Sequence, residues 1–209
     1  MPKILIATNN RGKQAELRSL LNGLGAELVT PADLGLSLDV VEDGSTYREN
    51  AAKKAAAFAQ ESGLLSLADD TGLEVAALDD APGLYSKRFA PMPSPTDADR
   101  RAYLLAQLQP HPRPWKARFR CVVAIAAPDN SVRFAEGICP GEIIPEERGK
   151  YGFGYDSIFW LPEIRKTLAE LSMDEKNQLS HRARAIRAAL PILKKVLNSS
   201  GQVFSSSLY

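Results

Sequence analysis

The chain begins with a change of hydrophobic period that restricts it to a few fold classes. Lys3–Thr8 is apolar and partly β-branched, which predicts a short buried strand. Leucines then recur at helical spacing, at Leu17, Leu20, Leu21 and Leu24. Asn10 is the predicted N-cap of that helix, and Gly23 or Gly25 is its predicted end. A strand that leads directly into an amphipathic helix predicts a sheet covered by helices.

A second pattern, later in the chain, predicts a β-hairpin. A strand with one deeply buried face is predicted over 118–125, where Phe119, Cys121, Val123 and Ile125 alternate with Arg118, Arg120, Val122 and Ala124. Pro128–Ser131 is typical of a turn, and Val132–Ile144 is the predicted returning strand. Strands followed by helices early in the chain, with a hairpin later, predict an α/β fold built on a mixed sheet.

The remaining segments complete a single predicted domain. Thr46 and Glu49 match a capping box that opens an alanine-rich helix ending near Gly63. Leu64–Ala68 is a predicted strand that enters a turn at residues 69–72, and Leu73–Leu78 is its potential partner strand. Further elements are a proline-rich loop over 81–95, a helix from Thr96 to about Gln109 and helical sequence over about 172–197. We expect one domain over residues 1–197 and a polar, frayed tail over 198–209.

Composition disfavours several classes of function. The formal net charge is +1, so neither a nucleic acid nor a membrane surface is an expected partner. The N-terminus lacks the apolar core of a signal peptide, and no run of about 18 apolar residues occurs, so we expect a cytoplasmic protein. Cys121 and Cys139 form neither a disulfide framework nor a metal-ligand motif, and we expect both to be small buried hydrophobes.

The turn after the first strand, Thr8-x-Asn10-x-x-Lys13, is the first candidate binding site. A lysine at a helix N-terminus meets the positive end of the helix dipole, which is unfavourable unless an anion lies between them. A hydroxyl, an amide, free backbone N–H groups and a lysine together favour phosphate binding. The alternative is a capped helix with a solvated lysine.

Acidic residues supply the second candidate site. Asp69-Asp70-Thr71-Gly72 follows an apolar strand, and neighbouring side chains on a strand point to opposite sides. One aspartate could therefore bind a hard cation or accept a proton from water, with Glu42 as a second carboxylate for a Mg²⁺ held together with substrate phosphates. The alternative is an ordinary turn, because Asp and Gly favour turns. Glu49 is explained by the capping box, and a solvated side chain is the default for Lys54.

Two further segments carry groups suited to a flat ligand. Gly152-Phe153-Gly154-Tyr155-Asp156 combines aromatic rings with glycines that allow close backbone approach, and Asp156 could accept from a base or ribose. Lys176 and Ser180-His181-Arg182 follow. Adjacent residues of a helix do not face each other and no G-x-S-x-G elbow is present, so a ligand-binding role suits His181 and Arg182 better than a serine triad.

The order of these motifs resembles that of the Ham1 family of inosine/xanthosine triphosphate pyrophosphatases. The resemblance runs from about residue 3 to about residue 197 and also includes Asn50, Lys54 and Ala81-Pro82-Gly83-x-Tyr85-Ser86. It implies an elongated mixed sheet flanked by helices, with two lobes and a central cleft, in a homodimer. It also implies Mg²⁺-dependent hydrolysis of ITP, dITP and XTP to the nucleoside monophosphate and pyrophosphate.

The resemblance also assigns roles to individual residues. It implies that Glu42 and Asp70 bind the metal, that Asp70 is the proton acceptor and that Phe153 stacks on the base. The implied substrate contacts are Thr8, Asn9, Asn10, Arg11, Gly12, Lys13, Lys54, Thr71, Phe153, Gly154, Tyr155, Asp156, Lys176, His181 and Arg182. The chain departs from the family pattern at Lys87-Arg88, where either cation could reach phosphate, and in the proline-rich run 89–95.

Two alternative functions differ in their expected behaviour. A Maf-like nucleotide pyrophosphatase would prefer modified pyrimidine or methylated nucleotides. A nucleotide- or RNA-binding module would use the basic C-terminal helix, but phosphate-backbone binding requires a concentrated basic surface, which the near-neutral charge disfavours.

Overall fold

The computed structural model describes the backbone of residues 1–203 and the side chains of residues 1–198. The strands are β1 (Lys3–Ile6), β2 (Glu27–Val29), β3 (Leu65–Val75), β4 (Trp115–Ala126), β5 (Val132–Ile143), β6 (Phe159–Leu161) and β7 (Lys166–Thr167). The helices are α1 (Arg11–Leu20), α2 (Tyr47–Ser62), α3 (Asp97–Leu108), α4 (Met173–Leu179) and α5 (His181–Val203). Short 3₁₀ turns occupy Ala32–Leu34, Ala76–Leu78, Gly83–Arg88 and Leu168–Glu170.

The strands form one mixed sheet in the order β2-β1-β3-β4-β5-β6-β7. β1 is parallel to both β2 and β3, with Leu5 opposite Val29 on one side and Ser66 on the other. β6 is antiparallel to both β5 and β7. The predicted α/β class and the mixed sheet are therefore confirmed.

The described residues divide into two compact units. The first contains residues 1–70, residues 122–136 and the helical segment that starts at Ala185, and the second contains residues 71–121 and 137–184. In the first unit, α2 packs its alanines and Phe58 against strand residues such as Leu5 and Val122. In the second unit, Leu104 and Leu108 of α3 pack with Phe119 and Phe159 of the sheet. Cys121 and Cys139 are both buried, as predicted.

The predicted turn at residues 69–72 is wrong. β3 continues without interruption from Leu65 to Val75, so Asp69 and Asp70 lie inside a strand and Leu73–Val75 extends that strand instead of pairing with it. Both aspartates are buried. Partners from elsewhere in the chain compensate for burying two carboxylates, which a local turn propensity cannot anticipate.

The helical sequence predicted over about 172–197 is confirmed, and it forms two helices that are separated at Ser180. Ser180 has extended backbone angles (φ −65°, ψ 158°) between α4 and α5. Its hydroxyl oxygen accepts a bond from the Ala183 N–H at 3.2 Å, which caps the start of α5. α5 continues through Val203, and the rest of the predicted tail, residues 204–209, lies outside the described residues.

Three helix starts test the capping predictions. Asn10 caps α1 and Thr96 caps α3, where Asp99 completes a reciprocal capping box. Thr46 caps α2 by accepting from the Glu49 N–H at 3.1 Å. The Glu49 carboxylate, however, accepts from the Ser45 N–H at 2.8 Å, so the predicted capping box at Thr46 is only half formed.

Candidate active site

The turn between β1 and α1 is built by its own side chains. The Asn10 Oδ1 atom accepts from the Lys13 N–H at 3.0 Å, and the Thr8 Oγ1 atom accepts from the Asn10 N–H at 3.2 Å. Asn9, Asn10 and Arg11 are exposed, whereas Gly12 and Lys13 are half-buried. The predicted phosphate-binding turn is thus an ordered, solvent-facing helix N-terminus.

Lys13 has an anionic partner within the protein. Its Nζ lies 3.0 Å from the Asp69 Oδ2 atom and 3.4 Å from the Asp69 carbonyl oxygen. The Asp69 side chain is fully buried, and that of Lys13 is 16% exposed. The carboxylate of Asp69 therefore offsets the unfavourable position of a lysine near the positive end of a helix. The sequence did not predict this contact between Asp69 and Lys13.

Lys54 lies between the two predicted metal-binding acids. Its Nζ is 3.2 Å from the Glu42 Oε2 atom and 3.7 Å from the Asp70 Oδ1 atom. It also donates to the Asp69 carbonyl oxygen at 2.8 Å, and its side chain is only 11% exposed. The default expectation of a solvated Lys54 is wrong. One ammonium group shared by two carboxylates brings Glu42 and Asp70 to the same point.

Asn50 is a site residue that sequence reasoning did not assign. Its Nδ2 donates to the Asp70 Oδ2 atom at 3.1 Å, and its Oδ1 accepts from the Gly44 N–H at 2.8 Å. A Cβ on Gly44 would lie 2.6 Å from that Oδ1, so the close approach depends on glycine. The signal in the sequence was an asparagine, a poor helix former, in an otherwise alanine-rich helix.

The surroundings of Asp70 perturb its acidity. Burial raises the pKa of this carboxyl, and the charge of Glu42 raises it further. Lys54, Lys13 and the Asn50 amide oppose the shift without cancelling it. The Asp70 carboxyl thus holds a proton more tightly than an exposed aspartate does, which suits a group that accepts a proton from water.

The donor set fits a hard divalent cation. Glu42 and Asp70 supply carboxylate oxygens, and Mg²⁺ is usually held by one or two carboxylates together with substrate phosphates and water. Among the residues with described side chains, no three His, Cys, Asp or Glu residues cluster as a complete metal cage.

In the second unit, the segment Gly152–Asp156 is organised around Asp156. The Asp156 Oδ2 atom accepts from Lys176 Nζ at 2.6 Å and from the Phe153 N–H at 2.9 Å. Gly152 has φ +77°, and a Cβ there would collide with the same carboxylate oxygen. The sequence suggested Asp156 as an acceptor for a base or ribose. In the structure its carboxylate binds Lys176 and closes the loop.

Two buried cations flank the Phe153 ring. Lys176 Nζ lies 5.2 Å and Arg182 Cζ lies 5.8 Å from the ring centroid, within cation–π range. Arg182 Nη2 also donates to the Thr71 Oγ1 atom at 3.3 Å. The structure therefore brings four of the predicted substrate contacts, Phe153, Lys176, Arg182 and Thr71, into one connected group.

His181 lies beside this group in the chain, but its ring contact is with another aromatic residue. It is buried and stacks on Phe119, with ring centroids 4.6 Å apart and an interplanar angle of 19°. Phe119 belongs to the hydrophobic core of the second unit. The His181 ring thus packs on the core, a contact that the sequence did not predict.

Tyr155 and the Lys87-Arg88 pair complete the second unit's candidate residues. The buried Tyr155 hydroxyl donates to the Ser86 carbonyl oxygen at 2.8 Å, and burial raises the pKa of this phenol. A cavity of about 450 Å³ is lined by Lys87, Arg88, Met92, Ser94, Pro95 and Arg100. Lys87 and Arg88, where the chain departs from the family pattern, therefore line the same cavity as residues of the proline-rich run 89–95. Either cation is a candidate for binding phosphate.

Comparisons with known proteins point in the same direction as this geometry. The family model described as "Ham1 family" matches residues 4–192. The dITP/XTP pyrophosphatase of Desulforamulus reducens is 47% identical over 195 residues, covering 93% of this chain and 96% of the relative. A dITP/XTP pyrophosphatase of Thermus thermophilus is 44% identical, covering 92% of each chain.

Solved structures give the same result for the fold. The Ham1 protein of Coxiella burnetii has a TM-score of 0.81 at 40% identity, covering 95% of this chain and 100% of that one. The Ham1 protein of Staphylococcus aureus has a TM-score of 0.79 at 36% identity, covering 95% and 99%. Within residues 1–203, the structure has no helix that is both long enough and apolar enough to cross a bilayer.

Proposed function

This chain belongs to the Ham1 family, and from that membership we infer that it is a nucleoside-triphosphate pyrophosphatase. Its substrates are the non-canonical purine nucleotides dITP, ITP and XTP, which it hydrolyses to the monophosphate and pyrophosphate. The names of the relatives support dITP and XTP directly. Such an activity removes damaged purine nucleotides from the cellular pool.

The observation that carries this proposal is the shared position of Glu42, Lys54 and Asp70. A triphosphate brings about four negative charges, and water can attack it only when cations offset them. Lys54 and Lys13 supply two cationic groups, and the exposed N-terminus of α1 supplies backbone N–H donors. The two carboxylates would hold Mg²⁺, which, when bound, neutralises phosphate oxygens and makes phosphorus more electrophilic.

Asp70 has the role of proton acceptor in the proposed reaction. Water forms a bond to the α-phosphorus while its proton passes to the Asp70 carboxylate. The bond between the α-phosphorus and the bridging oxygen breaks, and pyrophosphate leaves with the electron pair. The Asn50 amide holds the Asp70 Oδ2 atom, and this bond fixes the carboxylate that receives the proton. No covalent intermediate is needed.

We assign base recognition to the second unit. Phe153 offers a ring for stacking, and Lys176 and Arg182 supply buried donors beside it. Donors that meet the 6-oxo group of hypoxanthine or xanthine would face another donor in adenine, whose 6-position carries an amino group. A site built on hydrogen bonds to one group rejects an analogue that leaves those bonds unmade.

We further propose a cytoplasmic homodimer that needs neither nucleic acid nor membrane. The family resemblance supports the dimer, and the formal net charge of +1 supports the absence of a polyanionic partner. Light scattering after gel filtration measures the dimer directly. A monomer at micromolar concentration would refute this part alone.

A substrate panel tests the proposed function. The purified protein is incubated with ITP, dITP, XTP, GTP, ATP and modified pyrimidine triphosphates, with Mg²⁺ or with EDTA, in ¹⁸O-water. We expect pyrophosphate release from the first three nucleotides only, a requirement for Mg²⁺, and ¹⁸O in the monophosphate alone. Preference for modified pyrimidines would favour a Maf-like enzyme, and binding without turnover would favour a binding module.

A further inference from the structure

We propose that Asp97 and Arg101 of α3 are positioning residues that fix the base-binding segment Gly152–Asp156. The inference rests on the proposed function, because it gives this segment the task of holding a purine base. Neither residue carried a motif in the sequence. Both are assigned by their contacts with Gly154, the neighbour of Phe153 in the chain.

The start of α3 presents these two side chains on one face. Asp97 and Arg101 are four residues apart, so they lie one above the other along the helix. The other acid of this turn, Asp99, is used by the capping box, where its Oδ2 atom accepts from the Thr96 N–H at 2.9 Å. The Asp97 carboxylate takes no part in that box, and its Oδ1 atom pairs with Arg100.

Both backbone polar groups of Gly154 bind to this face of α3. The Gly154 N–H donates to the Asp97 Oδ2 atom at 2.7 Å. The Gly154 carbonyl oxygen accepts from Arg101 Nη1 at 2.8 Å. Both bonds involve a charged side chain, and such bonds are shorter and stronger than those between neutral groups. Gly154 has φ +64°, in the left-handed region that glycine adopts readily, and the two bonds restrict a residue whose backbone is otherwise unusually free.

Arg101 also ties the segment to the preceding loop. Its Nε donates to the Glu147 Oε1 atom at 2.9 Å, and the Ser157 hydroxyl donates to the Glu147 Oε2 atom at 3.1 Å. The Arg101 side chain is only 16% exposed. One guanidinium group therefore restrains Gly154 directly and Ser157 through a carboxylate, on both sides of Tyr155 and Asp156.

The contacts of Asp97 and Arg101 with Gly154 should affect binding of the base more than the hydrolytic step. Phe153 lies between Gly152, packed on Asp156, and Gly154, held by α3, so its ring is ordered before a base arrives. Order that exists beforehand does not have to be created on binding, and this lowers the entropic cost of association. Phosphate chemistry is assigned to the residues of the first unit, so loosening the anchors should raise KM and reduce base discrimination while kcat changes little.

The test compares Asp97→Ala and Arg101→Met with the matched control Asp99→Ala. The control removes an acid from the same helical turn and breaks the capping box, but it leaves the Gly154 contacts intact. We expect KM for ITP and the Kd for IMP to rise about tenfold in the first two variants, with kcat within about threefold of wild type. Asp99→Ala should lower thermal stability without a comparable change in KM. Arg101→Lys, which can reach the Gly154 carbonyl oxygen, should recover part of the loss.

Hydrogen exchange at the Gly154 amide separates this inference from the proposed function. The amide should exchange at least about tenfold faster in Asp97→Ala than in wild type or Asp99→Ala, whatever the substrate. Unchanged exchange and unchanged KM in Asp97→Ala, or the same KM increase in Asp99→Ala, would overturn the positioning role. A wild-type protein that fails to hydrolyse ITP, dITP or XTP would overturn the proposed function instead.

Discussion

Removing the Asp156 carboxylate should destabilise the protein strongly, because it takes a counter-charge away from a buried lysine. Lys176 Nζ and the Asp156 Oδ2 atom are 2.6 Å apart, and their side chains are only 5% and 6% exposed. Deleting one member of such a pair typically costs about 3–5 kcal/mol, since the remaining charge stays desolvated. Asp156→Ala also takes the acceptor away from the Phe153 N–H, which the same oxygen binds at 2.9 Å.

The expected loss is large enough to measure in two ways. For a chain of this size each kcal/mol lowers Tm by about 2–4 °C, so Asp156→Ala should melt about 6–20 °C below wild type. Urea unfolding should show a lower midpoint at an unchanged slope. Lys176→Met, which removes the positive charge from beside the buried carboxylate, should be destabilised to a similar extent.

A double-mutant cycle decides whether the ion pair is the cause. The double variant Asp156→Ala/Lys176→Met removes both charges and should be more stable than the sum of the single losses predicts, by about 2 kcal/mol. The exposed pair Lys3–Glu27, 3.4 Å apart with side chains about half exposed, is the control. Glu27→Ala there should change stability by no more than about 0.5 kcal/mol. Additive losses, or an Asp156→Ala loss as small as that of Glu27→Ala, would refute the reasoning.

Three shorter predictions concern the cysteines and the acids of the first unit. Cys139 is buried and burial raises its thiol pKa to about 11, so neither it nor the buried Cys121 should react with DTNB at pH 8 until guanidinium unfolds the chain. The raised pKa of Asp70 means that the folded state binds its proton more tightly than the unfolded state does, so ionisation of this carboxyl lowers stability as pH rises above 3.8. Asp70→Asn should therefore resist urea better than wild type at pH 7, by a margin that shrinks toward pH 4. A variant less stable than wild type at pH 7 would contradict the direction of this pKa shift. In calorimetry with Mn²⁺ as a probe, Glu42→Gln should bind the metal at least about tenfold more weakly than wild type. The control Asp43→Asn alters a carboxylate that pairs with Lys53 at 2.5 Å and should bind Mn²⁺ like wild type. Equal Mn²⁺ affinities of Glu42→Gln and wild type would remove Glu42 from the metal site.

Local sequence signals predicted the elements whose causes are local. The N-cap at Asn10, the capped start of α3 at Thr96 and the hairpin turn before Val132 are each determined by residues a few positions apart. The same holds for the alternating burial from Trp115 to Cys121 in β4, but both faces of the strand are buried from Cys121 to Ala126, which the alternation did not predict. In these segments the secondary-structure propensities, the hydrophobic periodicity and the capping residues all favour the same element, and the structure contains that element.

Long-range partners produced the differences between prediction and structure. Asp69-Asp70-Thr71-Gly72 has turn composition, yet it stays in β3, where Lys13, Lys54 and Asn50 stabilise the two carboxylates. Those partners lie 15 to 56 residues away in the chain, beyond any local pattern. Tertiary contacts override propensity in this case, and they do so at the candidate site, where local rules are most often broken.

The candidate site was predictable in its residue types and less so in its connections. Glu42, Asp70 and Lys13 were named as separate groups, and the structure adds the side chains that join them. Lys54 was expected in solvent but binds both acids. Asp97 and Arg101 carried no signal at all, because their role depends on the carbonyl and amide of a glycine 53 to 57 residues away.

The rate of ITP hydrolysis by Asp70→Asn measures the central claim most directly. A lost proton acceptor should lower kcat by about 10²–10⁴-fold, while the Kd for ITP, measured with Ca²⁺ in place of Mg²⁺, changes only a few-fold. Asp43→Asn, which alters a carboxylate next to Glu42, should retain wild-type turnover. An Asp70→Asn enzyme with near-normal kcat would contradict the account, because the group formed by Glu42, Lys54 and Asp70 would then not be the catalytic centre.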